Sequence, residues 1–260
     1  MSNYSSEARY NFNVLMFKKC MILILALLWS VPAFGEHPMV TDDTGTQGKE
    51  KFLLELNCGF PTEKIETNGG MAGALTWGIA DNVDLDVAFP YQWAPAKGIG
   101  DMLAEVKWRI FDDDRSGLSL ALKPGLLIPA GDERKGLGNG AFSGGMMVIV
   151  TQAAKKRAIH CNVGYIRNAY GLKSDAEVSR KDIWHASIAA EIRMTEKLCT
   201  VADIGIDTNP DKTSNTHPVY LVGGLIYSVT EDFDLDVGVQ GGLNNAITDT
   251  LFLAGFTVSM

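Results

Sequence analysis

Between Val219 and Asn245 the chain reads VYLVGGLIYSVTEDFDLDVGVQGGLNN. Val219, Leu221, Leu225, Tyr227 and Val229 occupy alternate positions, and after Thr230-Glu231-Asp232 so do Phe233, Leu235, Val237 and Val239. Asp234, Asp236, Gly238 and Gln240 fall between them. A strand sends successive side chains to opposite faces, so this pattern encodes two half-apolar strands joined by a tight turn. One face is greasy and the other wet.

The rest of the chain repeats that unit. Phe52, Leu54, Leu56 and Cys58 oppose Leu53, Glu55 and Asn57. Met71, Leu75, Trp77 and Ile79 oppose Ala72, Ala74 and Thr76, and after a turn at 80–82 Val83, Leu85, Val87 and Phe89 oppose Asp84, Asp86 and Ala88. Met102 to Ile110 opposes Glu105, Lys107 and Arg109; Leu118, Leu120 and Leu122 oppose Ser119, Ala121 and Lys123. Further alternation covers 142–151, 159–167, 181–193, 198–206 and 250–260. This gives about twelve strands of about ten residues and no helix after the N-terminal region. Short turns near 81, 114, 154, 196 and 231 alternate with longer linkers at 61–70, 93–101, 129–141, 168–181 and 207–217. DNVDLDVAF at 81–89 echoes EDFDLDVGV at 231–239, one hairpin solution used twice without a fixed period.

The N-terminus carries an export signal: Lys18-Lys19, the apolar run Cys20 to Trp29, and the small-x-small site Ala33-Phe34-Gly35. Met16 is the expected start, because residues 1–15 do not look like the basic beginning of such a signal. Residues 1–35 are thus extension and cleaved signal, 36–50 a polar aperiodic leader, and 51–260 the strand domain. A formal charge of −8, with no basic tract beyond the signal, excludes nucleic acid as a partner. Three cysteines remain after the signal, Cys58, Cys161 and Cys199, too few and too far apart for a disulfide framework or a metal motif. They read as isolated buried thiols.

Alternation alone does not say which face points outward. A soluble lipocalin-like barrel buries its apolar face, whereas an outer-membrane barrel shows it to lipid. Strand number, the short-turn/long-loop rhythm and aromatics near strand ends (Trp77, Phe89, Tyr91, Trp93, Trp108, Trp184, Tyr227, Phe233) favour lipid. Backbone groups facing hydrocarbon must all be paired, so the sheet closes. The expectation is an all-β, closed antiparallel transmembrane β-barrel of about 12 strands. An even strand number puts both termini in the periplasm of a Gram-negative bacterium.

HPMVTDDTGTQGKEKFLLELN (37–57), IPAGDERKGLG (128–138), WHASIAAE (184–191), DIGIDTNPD (203–211) and GGLIYSVTEDFDLDVGV (223–239) resemble bacterial outer-membrane proteins of the "MetA pathway of phenol degradation" family. The resemblance spans nearly all of the chain after the signal. It implies an outer-membrane barrel with an uptake role, and aromatic or hydrophobic solutes follow from it alone. The terminal Met260 departs from the aromatic that ends many such proteins.

On the wet face, Asp84, Asp86, Glu105, Lys107, Arg109, Glu191, Arg193, Asp203, Asp234, Asp236 and Gln240 would line a lumen. Opposed charges there select permeant solutes, or pair with one another and hold strands in register. His160 with Asn162 and His185 with Ser187 share that face on neighbouring strands, a skeletal Ser-His-Asn hydrolase without a GxSxG elbow. KGLGNG at 135–140 imitates a nucleotide loop, but no helix follows. Asp207, Asn209 and Asp211 alternate as calcium ligands do, without the glycine and distal glutamate of an EF-hand. Turn chemistry is the better account of both.

The reading is an outer-membrane channel for small solutes, with no catalytic residues, cofactor or metal. Its partners are outer-membrane lipid, the solute, periplasmic chaperones and the barrel-assembly machinery. The alternatives are a closed barrel with ligand-binding loops, a barrel-embedded lipid hydrolase and a soluble lipocalin-like barrel. The leader, with His37, Asp42 and Asp43, is expected to fold into the mouth of the barrel and narrow it.

Overall fold

The computed structural model describes residues 37–62, 69–247 and 250–260. The predicted signal peptide and the Met16 start lie outside them. Twelve long strands and one two-residue strand follow in order: β1 (Phe52–Pro61), β2 (Gly69–Ala80), β3 (Val83–Ala94), β4 (Gly98–Ile99), β5 (Met102–Asp113), β6 (Leu118–Ile128), β7 (Ser143–Ala154), β8 (Arg157–Arg167), β9 (Asp182–Arg193), β10 (Leu198–Asp207), β11 (Val219–Ser228), β12 (Phe233–Gly242) and β13 (Thr250–Ser259). Each long strand pairs antiparallel with its sequence neighbours, and β1 pairs with β13, so the sheet closes on itself. The seam is tied at its end by Phe52 N–H to Met260 O (2.9 Å) and Met260 N–H to Phe52 O (2.8 Å). Met260 therefore takes part in closure despite lacking an aromatic ring.

Two expectations need correction. β3 runs through Pro90 to Ala94, into the linker expected at 93–101. Its pairing to β5 ends at Ala88, so the missing proline N–H breaks no rung of that ladder. A short helix, α1 (Lys173–Val178), and a 3₁₀ turn (Glu133–Lys135) occur, both in the long loops.

The apolar face points outward. Trp77, Val163, Trp184, Ile188, Val237 and Phe252 are exposed, while the inward residues that alternate with them are buried or half-buried. The aromatics form two belts. Phe52 stacks on Trp77 and Phe233 packs on Phe256 at the short-turn end. Phe60 packs on Trp93 and Tyr165 on Trp184 at the long-loop end. Phe52 and Phe60 lie eight residues apart on one strand, about 26 Å along it, which with strand tilt matches the apolar band of an outer-membrane barrel. A soluble barrel would bury this face, so the lipocalin-like alternative falls. The thiols also need revision: Cys161 is exposed beside Ile159 and Val163, because strand alternation puts it outside. Cys58 is half-buried, and Cys199 packs towards Met39 on the inner face.

The β6–β7 loop packs back against the start of β5. Asp101 accepts the N–H groups of Gly131 (3.0 Å) and Asn139 (2.6 Å), pinning the β6–β7 loop. Burial pushes the Asp101 carboxyl above its usual range, against the lowering effect of these donors. Leu137 is buried there, and a side chain at Gly138 would collide with the Asp101 carboxylate. Gly136 and Gly140 take positive φ, so close approach and turn geometry account for the glycines of KGLGNG without a nucleotide.

An arginine at Val163, midway along β8 on the outer face, is expected to destabilise the barrel by about 2–4 kcal/mol. Urea unfolding in lipid vesicles measures this, and a cost near zero would mean the outer face does not meet hydrocarbon.

Candidate functional site

The inner face of the wall is polar. Asp84, Asp86, Glu105, Lys107, His160, Asn162, Ser187, Asp203, Asp236 and Gln240 are all buried. His185, Glu191, Asp234 and Arg109 are half-buried, and Arg193 is exposed. The two arginines sit at the short-turn rim, not in the ring expected from sequence. Arg193 is the last residue of β9, and Arg109 pairs with Asp112 (3.3 Å). Alternation gives the correct face for both, but near a strand end the inner face opens to solvent.

These inward groups are occupied by the leader. The chain leaves β1 at the short-turn end, beside Met260, and residues 37–44 are almost wholly buried inside the ring. His37 pairs with Asp236 of β12. Pro38 lies over Gly224 and Gly238, where any side chain would collide with its ring, so these two glycines make its groove. Met39 packs with Ala189, Val201 and Ile226, and Val40 with Tyr220 and Val222. The N–H groups of Val40 (2.6 Å) and Thr41 (2.8 Å) donate to Asp203 Oδ2. Thr44 N–H donates to Thr151 Oγ1 (3.1 Å), and its hydroxyl meets Ser119. Gln47 N–H donates to Asp84 Oδ2 (3.0 Å). The segment has no ladder partner of its own, so wall side chains satisfy its backbone.

Its anchor is Asp42. The carboxylate is wholly buried and accepts from Lys107 Nζ (2.8 Å) and Lys123 Nζ (2.9 Å). Lys123 also reaches Glu105 Oε2 (3.0 Å) and, more distantly, Asp86 (3.8 Å). Asn162, with its amide turned to match its neighbours, accepts from Asp42 N–H (2.6 Å) and donates to Asp42 O (2.9 Å). An edge strand would offer the same two bonds. Charges this deep are tolerated only when paired and hydrogen-bonded, so the leader and the two lysines depend on each other.

The histidines stand where the leader meets the wall. His160 Nδ1 meets Thr151 Oγ1 (2.9 Å) and its Nε2 lies 3.3 Å from Glu191. His185 Nε2 meets Ser187 Oγ (3.0 Å), and its Nδ1 meets Asp207 Oδ1 (2.8 Å). The third member of this line is Asp207 and not Asn162, which holds the leader backbone instead. The Ser187 hydroxyl is capped by Thr41 Oγ1 (2.8 Å) inside the lumen, away from lipid. Asp207, Asn209 and Asp211 do not converge. Asn209 bonds within its loop, and Asp211 accepts from Thr213. Sequence reasoning missed Glu55, Asn57, Lys123 and Tyr220 as members of the lumen. The first three sit on wet positions of alternating strands and were visible there.

A closed ring of twelve long antiparallel strands with an outward apolar band and a polar interior is the fold of outer-membrane channels. The outer membrane channel from Pseudomonas putida F1 superposes with a TM-score of 0.65 at 8% identity, covering 84% of this chain and 98% of that one. The NanC porin gives 0.62 at 13% identity, with 79% and 98% covered. The KdgM porin gives 0.59 at 6% identity, with 80% and 99% covered. Residues 38–260 match the family described as "Putative MetA-pathway of phenol degradation", and the chain belongs to that family. No curated protein matches its sequence.

Replacing Lys123 by Met strands Asp42 and Glu105 without their shared cation and is expected to cost about 3–5 kcal/mol. The exposed Lys135–Asp132 pair is the control, since Lys135→Met should cost below about 1 kcal/mol. Urea unfolding of the two variants side by side checks both.

Proposed function

We propose that the protein is an outer-membrane channel for small solutes whose resting lumen is closed by its own leader. The observation that carries this is the manner of closure. A purely structural barrel of this width fills its interior with wall side chains, whereas here one separable segment is held by polar bonds. Such bonds exchange readily for water or solute, so the segment can leave without unfolding the wall.

The wall left behind is acidic. Among described strand residues, Glu55, Asp84, Asp86, Glu105, Asp203 and Asp236 are buried carboxylates, against the ammonium groups of Lys107 and Lys123. The open lumen therefore passes cations and neutral molecules in preference to anions. Neutral small aromatics of the phenol class fit this selection, and the family's description supports them. The short-turn end, with the leader and Met260, is the periplasmic end. Export by a cleaved signal, chaperone escort and insertion by the barrel-assembly machinery complete the proposal.

Deleting Pro38 to Gly48 is expected to raise conductance in planar bilayers several-fold and to speed phenol entry into proteoliposomes. An inserted deletion variant that conducts no better than wild type would sink the proposal in favour of a closed structural barrel.

A further inference from the structure

The upstream end of the seated leader lies over a pocket that lacks a partner. His37 is buried against Asp236 of β12, and the wall beside it belongs to β13 and β1. A Cβ built on Gly255 of β13 would stand 2.7 Å from Asn57 Oδ1, 2.7 Å from Asp236 Oδ2 and 2.8 Å from His37 Nδ1, so three polar atoms converge over this glycine. Asn57 is 5% exposed, and neither atom of its side-chain amide has a hydrogen-bond partner. Glu55 lies two positions along the same face of β1, about 7 Å away, and is 4% exposed. Among the described residues, none hydrogen-bonds or ion-pairs with the Glu55 carboxylate. A buried carboxylate and a buried amide left this way have lost water and gained nothing. The pocket asks for a cation that carries several N–H donors.

Such a group is within reach. Glu36 lies outside the described residues, but it is bonded to His37, which puts its nitrogen within about 5 Å of the His37 Cα. In the precursor that nitrogen is a neutral amide with one N–H, joined to Gly35. Removal of the signal at Ala33-Phe34-Gly35 makes it an α-ammonium, with a full charge and three N–H donors. The path of the leader points the same way. It enters from the short-turn end and reaches His37 inside the ring. An attached signal would have to run on from there through the polar lumen, with its apolar stretch Cys20 to Trp29.

We propose that the α-ammonium of Glu36, freed by signal removal, docks on Glu55 and Asn57 beside the His37–Asp236 pair and is the end anchor of the leader. The channel therefore closes only in the processed protein. This rests on the reading of the leader as the closure and of the signal as cleaved. The leader is then held at two charged points of opposite sign. Asp42 meets Lys107 and Lys123, and the terminus meets Glu55. Each brings the wall a charge that its own side chains do not supply at that place. Gly255 keeps the pocket open, since an alanine there would press on Asn57, Asp236 and His37 together.

The test is the reactivity of the α-amine in the full processed protein, expressed with its own signal. The probe is pyridine-2-carboxaldehyde, which is selective for α-amines, and labelling is read by intact mass. Wild type is compared with Glu55→Gln and with a variant carrying Gly-Ser-Gly between Glu36 and His37. Heat-dependent gel mobility confirms each folded barrel. Wild type should begin at Glu36 and label several-fold more slowly folded than boiled. The insertion leaves the barrel wall untouched, so it folds even if Glu55→Gln does not. It should label as fast as boiled protein and conduct better than wild type in planar bilayers. Glu55→Gln, which keeps the side-chain shape and removes the charge, should label faster than wild type. A mature chain that begins at another residue overturns the proposal, as does a folded wild type that labels as fast as boiled. Protection as strong in either variant as in wild type overturns it too, because the terminus is then held elsewhere. A protected terminus beside a Pro38–Gly48 deletion variant that conducts no better than wild type keeps the docking and overturns the closure.

Discussion

Backbone N–H and C=O groups have no partner in hydrocarbon, and everything else in this molecule follows from pairing them. The ladder must close, so β1 meets β13 and no edge is left. Closure fixes the faces: each strand shows its apolar residues to lipid and turns its polar ones inward. The interior then holds carboxylates, lysines, histidines and hydroxyls on a ring too wide for them all to reach one another. The leader brings the missing partners. Its N–H groups go to Asp203 and Asp84, its hydroxyls to Ser187 and Ser119, and its Asp42 to two lysines.

A segment held this way is both tight and removable. Apolar contact is limited to Pro38, Met39 and Val40, three side chains against patches of the inner wall. The remaining bonds are polar, and water replaces each at small net cost, about 0.5–1.5 kcal/mol apiece for an ordinary hydrogen bond. The Asp42 cluster is the exception, because its charges lie deepest. It sets the position of the leader. Gly224 and Gly238 matter for the same reason from the opposite side: they leave room for Pro38 without adding attraction.

Much of this was legible in the chain. Period-two alternation and the rhythm of short and long connections specify the strands, their order and the wet face. The inward placement of Asp84, Asp86, Glu105, Lys107, His160, Asn162 and Asp203 follows from that alternation alone. Other features need three dimensions. The leader has no period, and its partners lie as far as 199 residues away in sequence, as with His37 to Asp236. The sequence pattern suggests Asn162 beside His185, since both lie on the wet face of neighbouring strands, yet its partner is Asp207. Register decides it, since Asp207 lies opposite His185 whereas Asn162 lies opposite Ser187. Cys161 was misplaced by composition: a thiol usually reads as buried, but in a membrane barrel the apolar side is the outer surface.

The measurement that bears most directly on this account is a cross-link between leader and wall in the assembled protein. Val40 and Val222 pack together inside the barrel. With the native cysteines replaced by alanine, Val40→Cys and Val222→Cys introduced together should oxidise to a disulfide in isolated outer membranes. Unboiled gel mobility should still report a folded barrel, and conductance should be locked low until reductant is added. If instead the two thiols stay unlinked and react freely with a membrane-impermeant maleimide in the folded barrel, the leader does not reside in the lumen, and the closure described here is wrong.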